Sequence, residues 1–149
     1  MKFGLEGYAE KGQVTMSADK RLRAAAAEAL VAQVLLRSGY EVFRPIVDGS
    51  PVDLIAIGHS QMVVAQVKIM QEPDASASIT SYLRLRRNRN SDSYIDTIVN
   101  TIIGVSHDFQ QVFLVPRTLF AEYEGKAFVS ARTLLQHGIR PINACPSSD

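Results

Sequence analysis

The chain of 149 residues has no tryptophan, one cysteine and three histidines. A lone Cys145 excludes a disulfide framework and any cysteine-rich zinc module. His59, His107 and His137 are too scattered for zinc-type ligand spacing. No apolar run approaches the ~20 residues needed to span a bilayer. The opening, MKFGLEGYAEKGQ, lacks the apolar segment of a secretory signal. The expectation is a soluble, cytoplasmic protein with no membrane partner. An excess of either charge is also missing, since 16 basic and 15 acidic side chains give a net charge of +1. That balance hides local patches. Arg84, Arg86, Arg87 and Arg89 follow one another with no acid among them, and Lys20, Arg21 and Arg23 cluster near the start of the first expected helix. The chain is 46% hydrophobic and 21% charged, which excludes wholesale disorder and fits one domain.

Residues 1–16 read as an arm containing Gly4, Gly7 and Gly12, either a short strand pair or a loose segment. Ser17 is a candidate N-cap. Nothing from there to Ser38 breaks a helix, and Gly39 stops it. Its second half, AAAAEALVAQVLL, is apolar nearly all round, which predicts burial against something larger. Strands are expected over Glu41–Ile46, Val52–Ile57 and Met62–Ile69, the last two joined by the hairpin-length Gly58-His59-Ser60-Gln61. Ile79–Arg86 alternates with period 2. Leu83 and Leu85 share one side, and Tyr82, Arg84 and Arg86 the other. Tyr94–Ile103 is β-branched and reads as strand, as does Gln111–Val115 before Pro116. Arg117–Tyr123 and Ser130–Gln136 read as short helices, and 145–149 as a flexible tail. This order predicts an α/β or α+β domain with a central mixed sheet flanked by helices.

Three polar positions conflict with their surroundings. Glu28 shares a helix face with Ala24, Val31, Ala32 and Leu35. Alone, it reads as a partly exposed, solvated acid. Asp53 enters the apolar strand VDLIAI, where a strand-end acid commonly caps a turn or faces water. Gln66 and Lys68 lie two apart and so project from one strand face, opposite the core-like Val63, Ala65, Val67 and Ile69. Together they say more. A turn at 58–61 pairs Ile57 with Met62, which sets Asp53 opposite Gln66. If the long helix packs over that end of the sheet, Glu28 joins them. Oxygen donors of this kind suit Mg²⁺, and a nearby lysine can position a water or offset charge on a phosphate. That is a set of groups for metal-assisted phosphodiester hydrolysis.

The succession Glu28, Pro51-Val52-Asp53 and Gln66-Val67-Lys68 resembles the PD-(D/E)xK nuclease superfamily, in which a helix supplies the glutamate, one strand the aspartate and the next a (D/E)xK tripeptide. The likeness covers roughly residues 20–70 and, at the level of fold, a core of about 17–120 within a single domain of 1–149. It implies a restriction-endonuclease-like core with Glu28 on the first long helix. The departure is Gln66, which makes the tripeptide QxK. A QxK variant occurs among intron-encoded homing endonucleases of the superfamily. The 25-residue step from Glu28 to Asp53, and YIDTIV followed by VFLVP, are similar to that group.

The resemblance implies a Mg²⁺-dependent endonuclease acting on double-stranded DNA, cutting at specific sites as homing enzymes do. Asp53, Glu28, Gln66 and the Val67 carbonyl would hold the metal. Lys68 would orient the attacking water, and Arg84, Arg86, Arg87 and Arg89 would contact DNA. One site per chain and two strands to cut imply a homodimer or homotetramer. The alternatives are a Holliday-junction-type or other structure-specific nuclease, or a non-catalytic nucleic-acid-binding domain on a nuclease fold. A scaffold domain has no positive support.

Overall fold

The computed structural model describes residues 16–72, 81–85, 94, 97–126 and 128–145. Helix α1 spans Met16–Arg37 and contains neither glycine nor proline. It ends in a Schellman motif. Tyr40 N–H donates to Leu35 C=O at 3.0 Å and Gly39 N–H to Leu36 C=O at 3.1 Å, with Gly39 at φ +89°. A side chain at Gly39 would be strained by that φ, and its Cβ would meet the His59 ring at 3.2 Å. Because the helix begins at Met16, Ser17 lies inside its first turn and is not its cap.

The helix is also less buried than its composition suggests. Ala27, Val31, Val34 and Leu35 form the one buried stripe, while Leu22 and Leu36 remain 65% and 57% exposed. Alanine is the best helix former whether or not it is buried, so the alanine run sets helicity without setting environment. The expected burial against something larger therefore holds along this stripe and not around the rest of the helix.

The strands are β1 Glu41–Phe43, β2 Leu54–Gly58, β3 Gln61–Ile69, β4 Tyr82–Arg84, β5 Thr101–Val105, β6 Gln111–Pro116, β7 Phe128–Ser130 and β8 Ile142–Asn143. Six of them form a sheet in the order β1-β2-β3-β5-β6-β8. The β3–β5 pair is parallel and the others antiparallel, so the sheet is mixed as expected. Strands β4 and β7 make a separate two-stranded sheet. Helices α2, Arg117–Tyr123, and α3, Ala131–Gln136, and a 3-10 turn at Glu124–Lys126 complete the described elements, with Ser130 capping α3 through Thr133 N–H.

The β2–β3 turn is tighter than its sequence implies. Gly58 pairs with Gln61, so only His59 and Ser60 form the loop, at φ 51° and 58°. This is the geometry of a type I′ hairpin, built here without glycine. His59 Nε2 sits 2.7 Å from Ser38 C=O, and its ring packs edge-on against Tyr40. The hairpin is thus pinned to the end of α1, and the register that follows carries Asp53 opposite Gln66.

Each sheet face has its own core. Under α1 lie Leu54, Ala56, Val63, Ala65, Val67, Ile103, Val105 and Val112. On the other face Leu83, Leu85, Val129, Phe120 and Leu134 cover Val64, Ile102, Phe113 and Val115. Burying a side chain of this size contributes about 1.5–3 kcal/mol. The second layer stops short of the β1 edge, leaving Phe43, Ile57 and Met62 exposed.

Several expected strands change length. The first ends at Phe43 rather than Ile46. Of Ile79–Arg86, the described part is strand only at Tyr82–Arg84, with Leu83 and Leu85 buried as the alternation requires. Of Tyr94–Ile103, the described part is strand only from Thr101, and that strand runs on to Val105. Thr97 explains the delay. Its hydroxyl donates to Tyr94 C=O at 2.7 Å and accepts from Val99 N–H at 3.2 Å, a local turn that competes with a ladder. Asn100 then takes over, accepting from Val64 N–H and donating to Met62 C=O, both at 2.8 Å.

Candidate active site

Asp53 stands one residue before β2, and the ladder Leu54↔Ala65 carries it opposite Gln66. Its own N–H donates to Ala65 C=O at 2.8 Å. Its carboxylate accepts from Val67 N–H at 2.8 Å and from Gln66 Nε2 at 2.6 Å, both on Oδ2. Among the described residues Oδ1 accepts no hydrogen bond. One oxygen is therefore fastened to β3 and the other is open.

Glu28 reaches the same end of the sheet from α1, with its side chain 28% exposed. Arg44, just past β1, brings Nη1 to 3.8 Å from Glu28 Oε2. Lys68 projects from the same face of β3 as Gln66, with Nζ 5.0 Å above the Tyr94 ring. Arg84, from β4, stands over the Phe128 ring at 5.7 Å and close enough to Lys68 to repel its charge. Gly104, which pairs with Lys68 in β5, lets β4 pack closely here, since a Cβ would lie 3.2 Å from the tip of Leu83.

Burial, more than neighbouring charge, holds these groups away from their ordinary states. Burial pushes the Asp53 carboxyl up from 3.8 to about 6; Glu28 adds to the rise, while Val67 N–H, Lys68 and Arg44 oppose it. Burial, then Arg84, pushes Lys68 down from 10.5 to about 8, against the pull of Asp53. A partly desolvated carboxylate beside a second carboxylate is a place that favours a cation. The donors are hard oxygens: Asp53 Oδ1, Glu28, the Val67 carbonyl and the Gln66 amide oxygen. Among the described residues no three His, Cys, Asp or Glu side chains gather, so the donor set is not that of a zinc site or an all-protein cage. Two carboxylates with neutral oxygen donors beside them fit a hard divalent ion.

The structure thus brings Glu28, Asp53, Gln66, Lys68 and Arg84 together. Arg86, Arg87 and Arg89 lie outside the described residues. Sequence reasoning missed Arg44 and Tyr94, which lie in segments whose local pattern gives no sign of the site. Gln66, expected as a metal ligand, stands here as a hydrogen-bond donor to Asp53.

The fold is similar to that of a bacterial homing endonuclease at 16% identity, with a TM-score of 0.59 over 87% of this chain and 80% of that one. No curated protein matches the sequence. A PD-(D/E)XK endonuclease family model matches residues 18–138, a span that takes in Glu28, Asp53, Gln66 and Lys68. The helix-strand-strand placement of these groups agrees with that match, and the chain belongs to the PD-(D/E)XK endonuclease family.

Proposed function

We propose that this endonuclease hydrolyses phosphodiester bonds in double-stranded DNA with Mg²⁺, cutting at specific sites in the manner of homing enzymes. The observation that carries the reading is the Asp53 carboxylate, fastened through Oδ2 and open at Oδ1, beside Glu28 and Lys68. Asp53, Glu28, the Val67 carbonyl and Gln66 would hold the ion, which supplies Lewis acidity toward a phosphate oxygen and lowers the pKa of bound water. Lys68 orients the attacking water and offsets charge that develops on the phosphate. Arg84 lies beside Lys68 and is suited to a flanking phosphate. Arg86, Arg87 and Arg89 would extend that contact along the strand. Residues 1–149 form one domain on this reading. A duplex cut needs two such sites, hence a homodimer or homotetramer.

The test is cleavage of supercoiled plasmid with and without Mg²⁺. Wild type should give nicked and linear products, EDTA should stop the reaction, and Asp53→Ala or Lys68→Ala should abolish cutting while retaining DNA binding. Equal cutting by either variant removes the assignment. DNA binding without any cutting by wild type supports a non-catalytic domain instead.

A further inference from the structure

Lys20, Arg21 and Arg23 are a basic cluster that the site above does not use. The structure gives two of them a place. Lys20 and Arg23, three residues apart on α1, project from one side of the helix. They border a cleft of about 380 Å³ together with Ile69, Gln71, Glu72 and His107. The cleft begins at Ile69, the last paired residue of β3, on the α1 side of the sheet and so on the face opposite Lys68, and its far wall is the turn between β5 and β6.

Its cations are arranged differently from ordinary surface charges. Arg23 donates from Nη2 to His107 C=O at 3.3 Å, and its guanidinium lies 5.2 Å from the Phe109 ring centroid. Both interactions orient the guanidinium and neither neutralises it. Among the described residues neither Lys20 nor Arg23 forms an ion pair. Glu72 on the rim is the one acid among the described residues that line the cleft. The result is an open groove with an oriented arginine, an unpaired lysine and an imidazole at its edge.

We propose that this cleft is a phosphate-binding subsite for the substrate strand, engaging a backbone phosphate beyond the one attacked at Lys68. The inference rests on the DNA reading above and names a binding surface for it. The spacing along the chain fits. The cleft lies on the α1 side of the sheet, the side from which Glu28 reaches the site, and Arg23 is five residues from Glu28, ~7.5 Å of helix axis, where a duplex strand carries a phosphate every ~3.4 Å of axis. The subsite engages charge and not bases, so it contributes affinity and register without sequence preference.

The experiment is fluorescence anisotropy of a labelled duplex across a graded KCl series, with Ca²⁺ replacing Mg²⁺ to prevent cleavage. Wild type, Lys20→Gln, Glu72→Gln and Arg84→Ala are compared, with circular dichroism to check each fold. Lys20→Gln should lower the salt slope by about 0.9, the value for one phosphate no longer neutralised by the protein. Glu72→Gln should tighten binding by about threefold, the factor for removing one like charge ~6 Å away in a water-like medium. Wild-type slope and affinity in both variants, with Arg84→Ala still weakened, overturn the subsite and leave the DNA reading standing. A wild type that binds no duplex overturns both.

Discussion

Gln66 donates its side-chain N–H to Asp53 Oδ2 at 2.6 Å, across the first residue pair beyond the β2–β3 ladder. An acid at position 66, the usual residue in this family's tripeptide, could not make that bond while ionised. The amide lets Asp53 sit against β3 as a charged group with no metal present, at the cost of one negative charge for holding one.

Gln66→Glu should therefore weaken the metal-free protein and strengthen the metal-bound one. Two carboxylates at this distance repel, and a hydrogen bond to a charged group worth about 1.5–3 kcal/mol is lost. Thermal melting at pH 8 should show a lower midpoint in EDTA, and titration calorimetry should show tighter Ca²⁺ binding. Unchanged Ca²⁺ affinity together with lost cleavage would remove Gln66 from the metal's ligands and leave it as the partner of Asp53.

Asp53 and Lys68 should make metal-free stability depend on pH. The folded pKa of Asp53 is raised to about 6, so its favourable contribution is complete below the unfolded value near 3.8 and is lost as pH rises through 6. The folded pKa of Lys68 is depressed to about 8, so its contribution is complete above 10.5 and is lost as pH falls through 8. Between pH 6 and 8 both groups carry the charge the site disfavours. Asp53→Asn, which can keep both bonds by placing its amide oxygen where Oδ2 lies, should stabilise the metal-free protein by about 1 kcal/mol at pH 7 after allowance for solvent screening. Urea denaturation at pH 7 and pH 3.5 checks this, because the gain should vanish at the lower pH.

Ser60→Gly should stabilise the hairpin. Ser60 adopts φ 58°, a conformation that costs an L-residue roughly 1–2 kcal/mol and costs glycine almost nothing. A gain of about 0.5–1 kcal/mol is expected after the extra chain entropy of glycine is subtracted. Chemical denaturation that shows a loss would mean the Ser60 conformation is held by more than the turn.

Gly104→Val should separate Arg84 from Lys68. A side chain there meets Leu83 at 3.2 Å and Met70 at 3.3 Å, and both are fully buried. Overpacking of this kind costs about 1–3 kcal/mol. DNA affinity should fall as Arg84 moves with β4. A variant with wild-type melting and wild-type binding would show that β4 yields without disturbing the site.

The site was legible in the sequence wherever strand period and turn length decided the outcome. Pairing Ile57 with Met62 was enough to set Asp53 opposite Gln66, because a ladder leaves no freedom once one pair is fixed. The turn itself was half hidden, since a type I′ loop without glycine carries no local mark and depends on His59 reaching Ser38, twenty-one residues earlier. Tyr94–Ile103 misled for the opposite reason. Its β-branched residues favour a strand, but the Thr97 hydroxyl bonds its own neighbours and Asn100 bonds β3. Nothing local to Arg44 or Tyr94 announced the site, because each arrives there through the sheet edge or the second layer.

The parallel joint between β3 and β5 has a consequence for the order of assembly. Glu28, Asp53, Gln66 and Lys68 belong to an unbroken run of α1, β1, β2 and β3, and close it through near-neighbour antiparallel pairs. Adding β5 to β3 closes a much longer loop, since a parallel neighbour cannot be reached by a tight turn. The acidic end of the site can therefore come together in the transition state for folding while Arg84, delivered by the later layer, arrives after it. Substitutions in the β2–β3 hairpin should then slow folding, and those at the β3–β5 contact, such as Ile102 or Ile103, should mainly hasten unfolding, a division that chevron kinetics would read directly.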